Sequence, residues 1–131
     1  MSVTLTVIDE NVAGERFQQW SLEVLAERIT VRELIRSRVY QEVQDYHLKR
    51  PELFRGLVQP TDAEKTLNGF KLPKGRQIDW HDQYEKAVEA FEGNRVILLV
   101  GERQAASLDE EIEIKPGAEV TFLRLVPLVG G

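Results

Sequence analysis

RVILLVGERQAASLDEEIEIKPGAEVTFLRLVPLVGG, residues 95–131, is the stretch whose reading decides the fold. Its opening RVILLV is a continuous apolar run bounded by Gly93 and Gly101, the pattern of a strand buried on both faces, and we expect it at the centre of a sheet. GERQAAS then turns the chain, and EEIEI offers a short, half-exposed strand. Lys115-Pro116-Gly117 puts Pro and Gly at the two central positions of a tight turn, where Pro presets φ and Gly accepts a positive one. The last run, EVTFLRLV, alternates: Val120, Phe122 and Arg124 share one face, and Thr121, Leu123 and Leu125 the other. The Gly130-Gly131 doublet adds no packing. Taken alone it has three readings: a frayed end, a cloning remnant, or a carboxylate that must fit inside another protein.

Upstream, Val3, Leu5 and Val7 alternate with Ser2, Thr4 and Thr6, which predicts a half-buried strand followed by a turn at Asn11-Val12-Ala13-Gly14. FQQWSLEVLAERI carries β-formers with Leu22 and Val24 on one face, so the first 29 residues read as a hairpin. Thr30-Val31-Arg32-Glu33 has the spacing of a capping box and predicts a helix start. Val31, Leu34, Ile35, Val39, Val43 and Tyr46 follow at three- and four-residue steps, and Pro51 limits the helix.

Residues 49–94 differ in texture. They hold three of the five prolines, Pro51, Pro60 and Pro73, together with Gly56, Gly69 and Gly75, and show no sustained periodicity before Asp79. Tyr84, Ala87, Val88 and Phe91 then predict a second helix that stops at Gly93-Asn94. We read the whole as α+β, a mixed sheet with segregated helices. It forms one domain over 1–131, with 49–94 as an insertion and 126–131 as a flexible C-terminal tail.

With 131 residues, 42% hydrophobic and 30% charged, the chain suits a globular domain that buries an ordinary core. The net charge is −5, with Lys and Arg scattered between acids, which argues against nucleic acid. Without cysteine, the chain has no disulfide, thiolate metal site or cysteine nucleophile. The N-terminus lacks a basic region leading into an apolar run, and no apolar stretch reaches the roughly 18 residues of a membrane span. A cytoplasmic protein without membrane contact is expected.

The order strand, strand, long helix, insertion with helix, strand, short strand, strand, running into Gly-Gly, resembles the ubiquitin-like β-grasp proteins. Residues 95–131 are similar to the sulfur carriers of molybdopterin and thiamine biosynthesis. In those proteins a buried strand, a polar turn, an acidic segment, an x-x-Gly-x-Glu-Val turn and a hydrophobic strand lead into a proline-containing tail ending in Gly-Gly. The N-terminal hairpin and ITVRELI match ubiquitin-like proteins more loosely. The chain departs from the pattern in residues 49–94, which the smallest members lack, and in a somewhat longer RLVPLV segment.

This resemblance implies that the chain is a substrate and not an enzyme, with no catalytic residue, no metal and no cofactor of its own; nothing in it resembles a P-loop. An adenylating enzyme of the ubiquitin-activating type, using ATP, would convert the Gly131 carboxylate to an acyl-adenylate. Gly130 and Gly131 would thread its narrow channel because they lack a Cβ. Pro127 favours an extended tail, and Leu125, Val126, Leu128 and Val129 would anchor it in the partner's groove. The alternative for Leu125 is that it simply finishes the core strand. A conjugating enzyme and a JAB-type deconjugating peptidase would complete the set of partners.

After adenylation the family divides. In a bacterial-type modifier the acyl group passes to a target lysine as an amide, and the extra length of this chain favours that branch. In a sulfur carrier a C-terminal thiocarboxylate forms and donates sulfur, in one variant from a small subunit whose tail enters a partner enzyme. A non-conjugated β-grasp interaction module is the remaining alternative.

Other residues invite chemistry more weakly. Asp79-Trp80-His81-Asp82 with His47 offers metal-ligand types, but an acidic helix start explains the Asp-rich stretch better. Asp109, Glu110 and Glu111 read as solvated acids beside a half-exposed strand, and Trp20 and Trp80 as core or interface residues.

Overall fold

The computed structural model describes residues 2–66 and 69–125. Strands β1 (Val3–Asn11) and β2 (Arg16–Val24) form the expected hairpin, with a register shift at Asp9/Glu10. Asn11 Oδ1 accepts the amides of Ala13 and Glu15, and Gly14 takes a φ of +80°. After the short β3 (Arg28–Thr30) comes helix α1 (Val31–Lys49). The Thr30 hydroxyl accepts the Glu33 amide at 3.1 Å, the N-cap half of the expected box. Arg50, in the left-handed conformation at φ 46°, donates its amide to Tyr46 C=O and closes the helix before Pro51.

The insertion is built, not merely looped. It contains a two-stranded pair, β4 (Glu64–Thr66) with β5 (Gly69–Lys71), and helix α2 (Trp80–Glu92). Phe54 and Phe70 exchange both backbone hydrogen bonds at 2.8 Å, which ties the start of the insertion to β5. Strands β6 (Val96–Val100), β7 (Arg103–Gln104), β8 (Glu111–Glu113) and β9 (Glu119–Arg124) follow. The turn before β9 has Gly117 at φ +80° and a hydrogen bond from the Ala118 amide to Lys115 C=O, as Pro-Gly at the central positions requires.

The molecule is α+β. Among the described residues its main sheet has five strands in the order β2-β1-β9-β6-β7, and β3 pairs separately with β8. The β1–β9 pair is parallel and the other pairs of this sheet are antiparallel. The centre therefore belongs to β9 and not to RVILLV, and β6 is buried on one face only: Val96 and Leu98 are buried, while Ile97, Leu99 and Val100 are half-buried. An unbroken apolar run signals burial but does not specify which strand closes the sheet; here that is the parallel partner of β1.

Val3, Leu5 and Val7 of β1, Leu22 and Val24 of β2, and Val120 and Phe122 of β9 face the apolar stripe of α1, and α2 packs beside α1. The insertion contributes Phe54, Leu57, Phe70, Ile78 and Phe91 to the same core. Each such fully buried large side chain contributes about 1.5–3 kcal/mol relative to exposure. Among the described residues no helix is long and apolar enough to cross a membrane.

Candidate functional site

Strand β9 is the last strand among the described residues. Past its last residue, Leu125 donates its amide to Arg95 C=O at 2.9 Å, so the pairing with the start of β6 runs one residue beyond the strand. Leu125 is half-buried and is the last residue to pair among the described residues. The other residues singled out in the sequence, Val126, Pro127, Leu128, Val129, Gly130 and Gly131, lie outside the described residues.

At this end of β9 four charged side chains meet. Asp9 continues the inward series of Val3, Leu5 and Val7, and Arg38 sits within the apolar stripe of α1; both are fully buried. Arg38 grips Asp9 with two parallel hydrogen bonds, Nη1 to Oδ1 at 2.5 Å and Nη2 to Oδ2 at 2.6 Å. Its Nε donates to Glu42 Oε2 at 3.1 Å, and its guanidinium lies 4.5 Å from the Phe122 ring centre. Arg124 follows Phe122 on the inner register, with Nη2 3.6 Å from Asp9 Oδ2. Two cations and two anions thus neutralise one another.

The same group holds the insertion. Glu42 Oε1 accepts the Leu57 amide at 3.1 Å, Arg124 Nη2 donates to Gly56 C=O at 2.8 Å, and Gln18 Nε2 donates to Asp9 and to Arg55 C=O. Burial alone would lower the pKa of Arg38, but Asp9 and Glu42 outweigh it and hold the guanidinium above its ordinary range. Burial raises the Glu42 carboxyl, against the pull of Arg38 and the Leu57 amide. Burial also lowers Arg124, with Asp9 opposing. Every one of these groups is committed to a partner, so the cluster acts as a clamp joining β1, α1, β9 and residues 55–57, not as an acid-base centre. Its signal in the sequence is charge on inward-facing registers: Asp9 after Val7, Arg38 after Ile35, and Arg124 after Phe122.

Beside the clamp, between the insertion, α2 and the ends of β6 and β9, lies a cleft of about 380 Å³. Its floor is apolar, from Leu57, Phe70, Ala90, Val96 and Leu125, and its rim carries Lys65, Lys86 and Arg95.

Asp79 caps α2, its Oδ1 accepting the amides of His81 and Asp82 at 3.0 and 3.4 Å. His47 accepts the Ile78 amide on Nε2 at 2.9 Å, which commits one of its two ring nitrogens to the fold. Among the described residues no group of three His, Asp or Glu is placed to hold a metal ion. The expected solvated acids each meet an arginine, Asp109 with Arg32, Glu110 with Arg103 and Glu111 with Arg28. Glu110 differs from its neighbours in also accepting the Ala106 amide, which with Arg103 lowers its pKa. Trp20 is half-buried, with its indole 5.7 Å from Arg38, and Trp80 stacks edge-on with Tyr40.

Comparison with protein-family models, curated proteins and solved structures finds no match for this chain.

Proposed function

We propose that the chain is a ubiquitin-like protein modifier of β-grasp fold whose Gly131 carboxylate is adenylated by an activating enzyme and joined to target lysines through an amide bond. The observation that carries the reading is the placement of β9: central, parallel to β1, antiparallel to β6, and leading directly into the segment that contains Gly130-Gly131. A hairpin, a crossover helix and a last strand inserted beside the first are compatible with a β-grasp sheet, and this supports the reading. The clamp of Asp9, Arg38, Glu42 and Arg124 fixes the root of that segment.

In this reading the protein is a cytoplasmic substrate. ATP enters through the activating enzyme, and the carboxylate becomes a mixed anhydride with AMP as leaving group. A cysteine of the enzyme takes the acyl group, and a conjugating enzyme passes it to a lysine amine. A JAB-type peptidase would reverse the bond. ATP–pyrophosphate exchange by the cognate adenylating enzyme tests the first step. The account expects exchange with the intact chain and none when Gly131 is deleted. Exchange that survives the deletion would exclude Gly131 as the activated residue and return the chain to an interaction module. Exchange followed only by thiocarboxylate formation would make it a sulfur carrier.

A further inference from the structure

The cleft beside the end of β9 lies between the insertion and the sheet, with Arg95, Val96, Arg124 and Leu125 on the sheet side. Leu57, Val58, Gln59, Lys65 and Phe70 line one side, and α2 lines another through Lys86 and Ala90. Its charge runs against that of the molecule. The chain has 22 acids to 17 bases, yet the lining contains Glu89 as its single acid beside Lys65, Lys86, Arg95 and Arg124. Two of those cations are spent within the fold: Arg124 on Gly56 and Asp9, Lys86 on Asp82 at 3.3 Å and Thr61 at 2.6 Å. Lys65 and Arg95 are exposed and form no ion pair among the described residues.

An apolar floor with cations on its rim suits a ligand that offers an apolar side chain and carboxylates together. We propose that this cleft receives an acidic peptide segment of a partner protein, anchored by an apolar side chain over Leu57, Phe70 and Leu125. The insertion then supplies a contact surface beside the ends of β6 and β9. The proposal concerns a surface of the folded domain and stands whether or not Gly131 is activated.

The test is a backbone NMR titration of the full chain with the capped peptide Asp-Glu-Leu-Phe-Glu-Asp. Saturable shifts confined to Lys65, Phe70, Ala90, Arg95 and Leu125 are expected, with binding weakened about tenfold or more in a Lys65→Glu/Arg95→Glu variant. Both side chains are exposed, so the variant keeps its fold, which its own spectrum verifies. Replacing Leu-Phe by Ser-Ser should abolish the shifts. The proposal is overturned by shifts elsewhere, by equal binding to the double variant, or by inorganic pyrophosphate reproducing the shifts without a peptide.

Discussion

Arg38 and Asp9 face each other with no solvent exposure, joined by two hydrogen bonds of 2.5 and 2.6 Å between a helix and the first strand. Such a pair is costly to bury and costlier to break, because removing one partner strands the other in a dry interior. Replacing Arg38 by Met leaves Asp9 and Glu42 without their shared cation, and should destabilise the fold by about 3–5 kcal/mol in urea denaturation. Arg103→Met, which removes an exposed partner of Glu110, should change little. Equal effects of the two substitutions would show that the buried cluster is not a clamp.

His47 gives the fold a pH dependence with a definite sign. Its Nε2 must stay unprotonated to accept the Ile78 amide, and burial, aided by the nearby Arg50 charge, lowers its pKa below the ordinary 6.5. The unfolded chain therefore takes up the proton first, and stability present above pH 6.5 is lost as pH falls through the folded-state value. Thermal melts from pH 8 down to about pH 5 should show this loss in the parent and a flatter profile in His47→Gln. A steeper profile in the variant would reverse the assignment.

Asp79 and His81 separate capping from ligation. Asp79→Ala should cost about 1 kcal/mol by freeing two amides at the start of α2. His81→Ala should be close to neutral, since its contact with Glu85 is exposed on both sides. The comparison is a pair of chemical denaturation curves, and a larger loss in His81→Ala would contradict the capping role.

Gly56 is fixed by crowding. A Cβ there would lie 2.2 Å from the Phe54 ring, which is itself buried, while the Gly56 carbonyl holds Arg124. Gly56→Ala should destabilise by about 1–3 kcal/mol, because Phe54 must leave its site. Gly75→Ala, where a Cβ meets nothing within 4 Å, isolates the separate effect of a positive φ. Amide spectra of Gly56→Ala should change at Arg124 as well as at Phe54, and a change confined to the loop would break the proposed link to β9.

Local signals in the sequence carried far. The alternation of Val3, Leu5 and Val7, the Thr30 half of the capping box and the Pro116-Gly117 turn each act through neighbouring residues, and each stands in the structure. The position of β6 was not legible, because an apolar run reports burial and not strand order. The pairing of Glu64–Thr66 with Gly69–Lys71 leaves no such signal either: three-residue strands among turn residues have no period to detect. The clamp was half-legible. Arg38 and Arg124 stand on inward registers, but an isolated charge on an apolar face does not name its partner, and Asp9 lies 29 positions from Arg38.

The central claim rests on Gly131, and trypsin offers a direct test of it. Cleavage after Arg124 would leave Leu125–Gly131, LVPLVGG, as a branch on any lysine to which the chain had been joined. Purification of the tagged chain from its native cells, followed by digestion and tandem mass spectrometry, should find that branch on lysines of other proteins and not when Gly131 is deleted. Recovery of the segment only as a free acid or a thiocarboxylate, with no branched lysine, would contradict the modifier account.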